Sequence, residues 1–84
     1  MYEIIYSSAA LRALERLEKP IQERILIALE RIRIRPESYD IKKLVGMTGY
    51  RFRVEDYRII FDLDKNKFVI LILKIGHRKN IYER

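Results

Sequence analysis

The chain has 84 residues, 49% hydrophobic and 36% charged, with 18 Lys and Arg against 12 Asp and Glu for a formal net charge of +6. A chain this short holds one modest core, so a single domain over residues 1–84 is expected, and its charge points to polyanionic partners: nucleic acid, an acidic protein segment or a membrane surface. There is no cysteine and His77 is the lone histidine, which excludes a disulfide framework and a thiolate zinc centre; neither metal nor other cofactor is expected.

The opening "MYEIIYSS" carries a charge at its third position and too little apolar length for a signal peptide or a membrane span, so the expected setting is the cytoplasm, away from membranes. Within it, Tyr2 to Tyr6 reads as a first strand. Ser7 and Ser8 are N-cap residues for the helical "AALRALERLEK", where Ala10, Leu14 and Leu17 recur on one face. Lys19-Pro20 interrupts that helix, and proline suits the first turn of the next. The second helix, "IQERILIALERIRIR", places Ile21, Ile25, Ala28, Leu29 and Ile32 on one stripe. Pro36 ends it, and "PESYDIKKLVGMTG" reads as a loop carrying Lys42 and Lys43. Strands follow at Tyr50 to Val54, Tyr57 to Leu63 and Phe68 to Ile75. The last is apolar on both faces, which suits a central strand, and Gly76 is expected to break it before the tail "HRKNIYER". The predicted fold is α+β in the order βααβββ: a helical hairpin packed on one face of a small, mainly antiparallel four-stranded sheet, with a short C-terminal tail.

The stretch "YRFRVEDYRIIF" fixes the facing of two strands. With Glu55 and Asp56 as a two-residue loop, Arg53 lies opposite Arg58 and Arg51 opposite Ile60, while Tyr50, Phe52, Val54, Tyr57, Ile59 and Phe61 make a continuous apolar face. A one-residue slip would mix the two faces. The apolar face is the core side, under the helices. The other gathers like charges across the strands, a destabilising arrangement unless an anion neutralises it.

The order βααβββ, the "KLVG" before the meander, the hairpin "YRFRV" and "DYRIIF", the apolar fourth strand and the closing "IGHRKNIY" together resemble the RelE toxins of the RelE/ParE toxin–antitoxin superfamily over essentially the whole chain. The resemblance implies a ribosome-dependent endoribonuclease that cuts mRNA in the ribosomal A site and is silenced by an acidic, RelB-like antitoxin in a hetero-oligomer. Its catalytic positions fall on Arg51, Arg53, Arg58, Arg78 and Tyr82, with Lys42, Lys43 and His77 as candidate contacts to RNA or ribosome. The best-known relative has lysines at the first two positions, and its tyrosine lies two residues further from the glycine than Tyr82 does here.

The first departure has a chemical consequence. Cleavage without metal uses the ribose 2′-hydroxyl as nucleophile on the adjacent phosphorus, so a site must orient the ribose, remove a proton and stabilise a dianionic transition state. Arginines suit the last task, being charged at every relevant pH and bidentate toward phosphate. They are poor bases. The proton is therefore expected to go to Tyr82, with His77 as second candidate and a ribosomal group as third. Two other readings compete: a ParE-like toxin that inhibits gyrase without cutting RNA, and a catalytically weak RNA- or ribosome-binding relative.

Overall fold

The computed structural model describes residues 1–36, 41–44 and 49–79. The elements are β1 (Glu3–Tyr6), α1 (Ser8–Arg16), α2 (Lys19–Ile34), β2 (Lys42–Lys43), β3 (Tyr50–Val54), β4 (Tyr57–Asp64) and β5 (Val69–His77). The sheet runs β1-β5-β4-β3-β2, parallel between β1 and β5 and antiparallel elsewhere. Five strands are present where four are expected, because Lys42 and Lys43 pair with Arg51 and Tyr50 as a short edge strand. An isolated dipeptide carries no periodic signal, so only its long-range pairing defines it. β5 is central, as its apolar character requires.

Helix α1 starts where Ser7 caps it, its Oγ accepting from the Ala10 amide at 3.0 Å. Leu17 and Glu18 are extended and separate α1 from α2, and Pro20 stands in the first turn of α2, where its missing N–H costs no helical bond. The helices cover one face of the sheet. Ala10, Leu14, Ile25, Ala28, Leu29 and Ile32 from the helices meet Phe52, Ile59, Phe61, Ile70, Ile72 and Ile75 from the strands in one buried cluster. No helix among the described residues is long and apolar enough to cross a membrane.

Two features of β5 depart from the sequence reading. The strand does not stop before Gly76: Gly76 pairs with Arg58 and His77 with Tyr57, so the ladder continues to the end of the β3–β4 hairpin. The register also shifts between Ile60 and Phe61, which pair with Lys74 and Ile72 and leave Leu73 as an extra residue. Such a bulge reverses the facing of everything beyond it. Ile70 and Ile72 point to the helices before the bulge, Ile75 does so after it, and Lys74 and Gly76 are thereby turned to the open face. Ser7 holds the bulge from below, donating its hydroxyl to the Leu73 carbonyl at 2.8 Å while it caps α1.

Candidate functional site

The Glu55-Asp56 turn sets the site. Glu55 takes φ 54°, the left-handed geometry of tight hairpin turns that match strand twist, and the resulting register places Arg53 opposite Arg58 and Arg51 opposite Ile60. An ion pair between Arg24 of α2 and Glu55 ties this turn to the helical layer. Directly opposed residues share a face, so the open side of the sheet carries two cross-strand rows. One is Arg53, Arg58 and Gly76; the other is Lys42, Arg51, Ile60 and Lys74.

Arg58 is central to this array. It faces Arg53 on one side and the side-chain-free Gly76 on the other, and it lies diagonal to Arg51 and Lys74, a Cα separation of about 7–8 Å. Lys42, Arg51, Arg53 and Arg58 line a basin of about 170 Å³. Ile60, in the same cross-strand row as Arg51 and Lys74, is buried and lies outside the core cluster under the helices.

The other expected site residues sit elsewhere. Lys43 pairs with Tyr50 and so stands on the helix side of the edge strand, away from its neighbour Lys42. His77 also belongs to the helix side: its ring is 5.5 Å from that of Tyr57, edge to face, and its Nδ1 accepts from the Lys79 amide at 3.2 Å. The strand places it across the sheet from Arg58, so a proton-transfer role for His77 in the basin lacks geometric support. Arg78 lies just past β5, its amide donating to the Asp56 carbonyl at 2.8 Å and its Nε 3.9 Å from Asp56 Oδ1. It does not line the basin. Tyr82 falls outside the described residues.

Lys74 is the basic residue that sequence reasoning missed. Counting by twos from Ile70 and Ile72 assigns Lys74 to the core face, and only the bulge at Leu73 reverses that. The available signal was the charge itself, a lone lysine in the run "FVILILKIGH". Among the described residues no group of three or more His, Asp and Glu is placed to hold a metal ion.

The family profile described as the ParE toxin of type II toxin–antitoxin system, parDE, matches residues 4–82. The chain is similar to the RelE of the archaeal RelE–RelB complex from Pyrococcus horikoshii, with 30% identity, a TM-score of 0.80, and coverage of 95% of this chain and 98% of that one. The RelB–RelE antitoxin–toxin complex from Methanococcus jannaschii gives 26% identity, a TM-score of 0.76, and coverage of 94% and 95%. The isolated E. coli RelE toxin has the same fold at 21% identity and a TM-score of 0.80, covering 92% of this chain and 84% of that one. No curated relative matches by sequence.

Proposed function

The chain belongs to the ParE toxin family of type II toxin–antitoxin systems, within the RelE/ParE superfamily, and from that premise we propose that it is a ribosome-dependent mRNA endoribonuclease acting in the cytoplasm, with residues 1–84 as one toxin domain. The observation that carries this reading is the basin of Lys42, Arg51, Arg53 and Arg58 on the open face of the sheet. A scissile phosphodiester in that basin meets bidentate guanidinium groups from two strands. The 2′-oxygen attacks phosphorus, its proton passes to a base, the P–O5′ bond breaks, and the 5′-oxygen takes a proton as it leaves. Arg51, Arg53 and Arg58 stabilise the extra charge on the phosphoryl oxygens. Arg78 joins them by exchanging Asp56 for phosphate, since an exposed pair of 3.9 Å holds it weakly. Tyr82 is the proposed base and, together with a ribosomal group, supplies what arginines cannot.

The proposed partner is an acidic antitoxin that folds on binding and forms a hetero-oligomer with the toxin. The solved neighbours from Pyrococcus horikoshii and Methanococcus jannaschii are toxins in complex with RelB. Charge complementarity with the +6 chain supports an antitoxin over the arginine face, and the edge strand β1 offers a place for an added strand. Lys43, at the opposite edge, is a candidate ribosome contact.

Primer extension on translated mRNA after induction tests the nuclease. Codon-phased cuts that vanish in an Arg58→Ala variant are expected, and growth arrest without cuts overturns it. The second reading, a gyrase-directed toxin, is favoured by the matching family being that of ParE. Relaxed plasmid and DNA damage with intact mRNA would establish it instead.

A further inference from the structure

The open face changes character along β4. Two residues beyond Ile60, past the bulge, Asp62 pairs with Leu71, and Leu71 with Ile5, so the next cross-strand row is a carboxylate beside two aliphatic side chains. Asp62 is half-buried, and no hydrogen bond or ion pair among the described residues engages its carboxylate. Its Oδ1 sits over Gly49, where an added Cβ would come within 3.0 Å, and Gly49 has φ +113°, so the backbone there leaves the space that the carboxylate uses. Ile5, Leu71 and Asp62 line a groove of about 1060 Å³ together with Lys43, Lys65 and Lys67.

We infer that this groove is a nucleobase subsite in which Asp62 reads the Watson–Crick edge of a guanine on the bound RNA. The inference rests on reading the basin as an RNA site. Arg51, opposite Ile60, is diagonal to Asp62, about 7–8 Å away at Cα, a separation that one nucleotide bridges from its phosphate to the edge of its base. The phosphate backbone is held to the basic rows and kept from the carboxylate. The base, whose faces are apolar, lies on Leu71 and Ile5. A carboxylate has two acceptor oxygens and no donor, and a half-buried one with no partner among the described residues gains most from a pair of donors. Guanine presents two donors side by side, N1–H and N2–H₂. Adenine, cytosine and uracil each set a ring or carbonyl acceptor beside their donor, which would face one oxygen with a lone pair.

Non-cleavable 2′-O-methyl hexanucleotides, uridine throughout except for one central G, A, C or U, test this by fluorescence anisotropy at low salt. The expected result is that the G oligonucleotide binds about tenfold tighter than the others, at the low end of what a bidentate contact discriminates. Asp62→Asn, which keeps shape and replaces one acceptor by a donor, is expected to lose that preference, because A, C and U each pair a donor with an acceptor and so suit the amide at least as well as G does. Equal binding of all four by the wild type, or a G preference that survives in Asp62→Asn, overturns the subsite. Arg53→Gln separates the two levels: if it weakens all four oligonucleotides equally while no base preference exists, the basin stands and only the Asp62 assignment falls. If no oligonucleotide binds either protein, the RNA reading and the subsite fall together.

Discussion

Replacing Arg53 by Gln should make the free protein more stable and the RNA-bound protein less so. Arg53 is exposed and directly opposes Arg58, with Arg51 on the same face of its own strand and Lys42 diagonal to it. Directly opposed charges on adjacent strands change stability by roughly 0.2–1 kcal/mol, with like pairs unfavourable. Glutamine keeps the aliphatic stem and removes the charge, so a gain of that size is expected. For a chain of this length it raises the melting temperature by about 1–8 °C. The screening length is about 30 Å at 0.01 M salt and 3 Å at 1 M, so the gain should be full at the first and nearly absent at the second. Arg12→Gln, on the exposed side of α1, controls for simple reduction of the +6 net charge. Circular-dichroism melts of the three proteins at both salts read the effect. Adding a single-stranded RNA oligonucleotide should reverse the order, because the wild type binds it more tightly and ligand stabilisation grows with [L]/Kd. An Arg53→Gln variant that melts below wild type at low salt without ligand, or a gain that 1 M salt leaves intact, would refute the account of the basin as stored like-charge repulsion.

Ser7→Ala removes both the cap of α1 and the hydroxyl bond to the Leu73 carbonyl, and should cost about 1–2 kcal/mol in urea denaturation; a loss below ~0.5 kcal/mol would show that the bulge does not depend on it. Gly49→Ala meets a positive φ and contacts of 3.0 Å to Asp62 Oδ1 and 3.2 Å to the Phe61 carbonyl, so a destabilisation of about 1–3 kcal/mol is expected from the same measurement. Burial, and then the Glu30 carboxylate, hold the Tyr6 hydroxyl above its ordinary value of 10.0. The folded state therefore keeps this proton more tightly than the unfolded chain does. Tyr6 should contribute nothing pH-dependent below about pH 10, and stability should fall as pH rises above it, with Tyr6→Phe flattening part of that alkaline decline in denaturation measured from pH 8 to 12.

Periodicity within a single element was enough to place the core stripe of α2 and the apolar face of β3 and of β4, and a two-residue turn between these adjacent strands added the pairing of Arg53 with Arg58. The stripe and the faces follow from side chains repeating every 3.6 or every 2 residues, a property of the local backbone. The serine before α1 and the proline in the first turn of α2 were legible for the same reason, since caps and fixed φ angles act on the nearest turn. The rest depended on partners far away in sequence. Lys42 and Lys43 form a strand only because β3 is beside them. Lys74 and Gly76 reach the open face, and His77 the helix side, because one unpaired residue at Leu73 inverts the alternation, and that residue is stabilised by Ser7 from the other end of the chain. Asp62 meets Leu71 through the register of β4 with β5, and Ile5 joins that row only through the parallel pairing of β1 with β5. The sequence alone determined which residues share a face within an element, whereas the tertiary structure decided which faces meet, because a bulge and an inter-strand register exist only in the pairing of two chain segments.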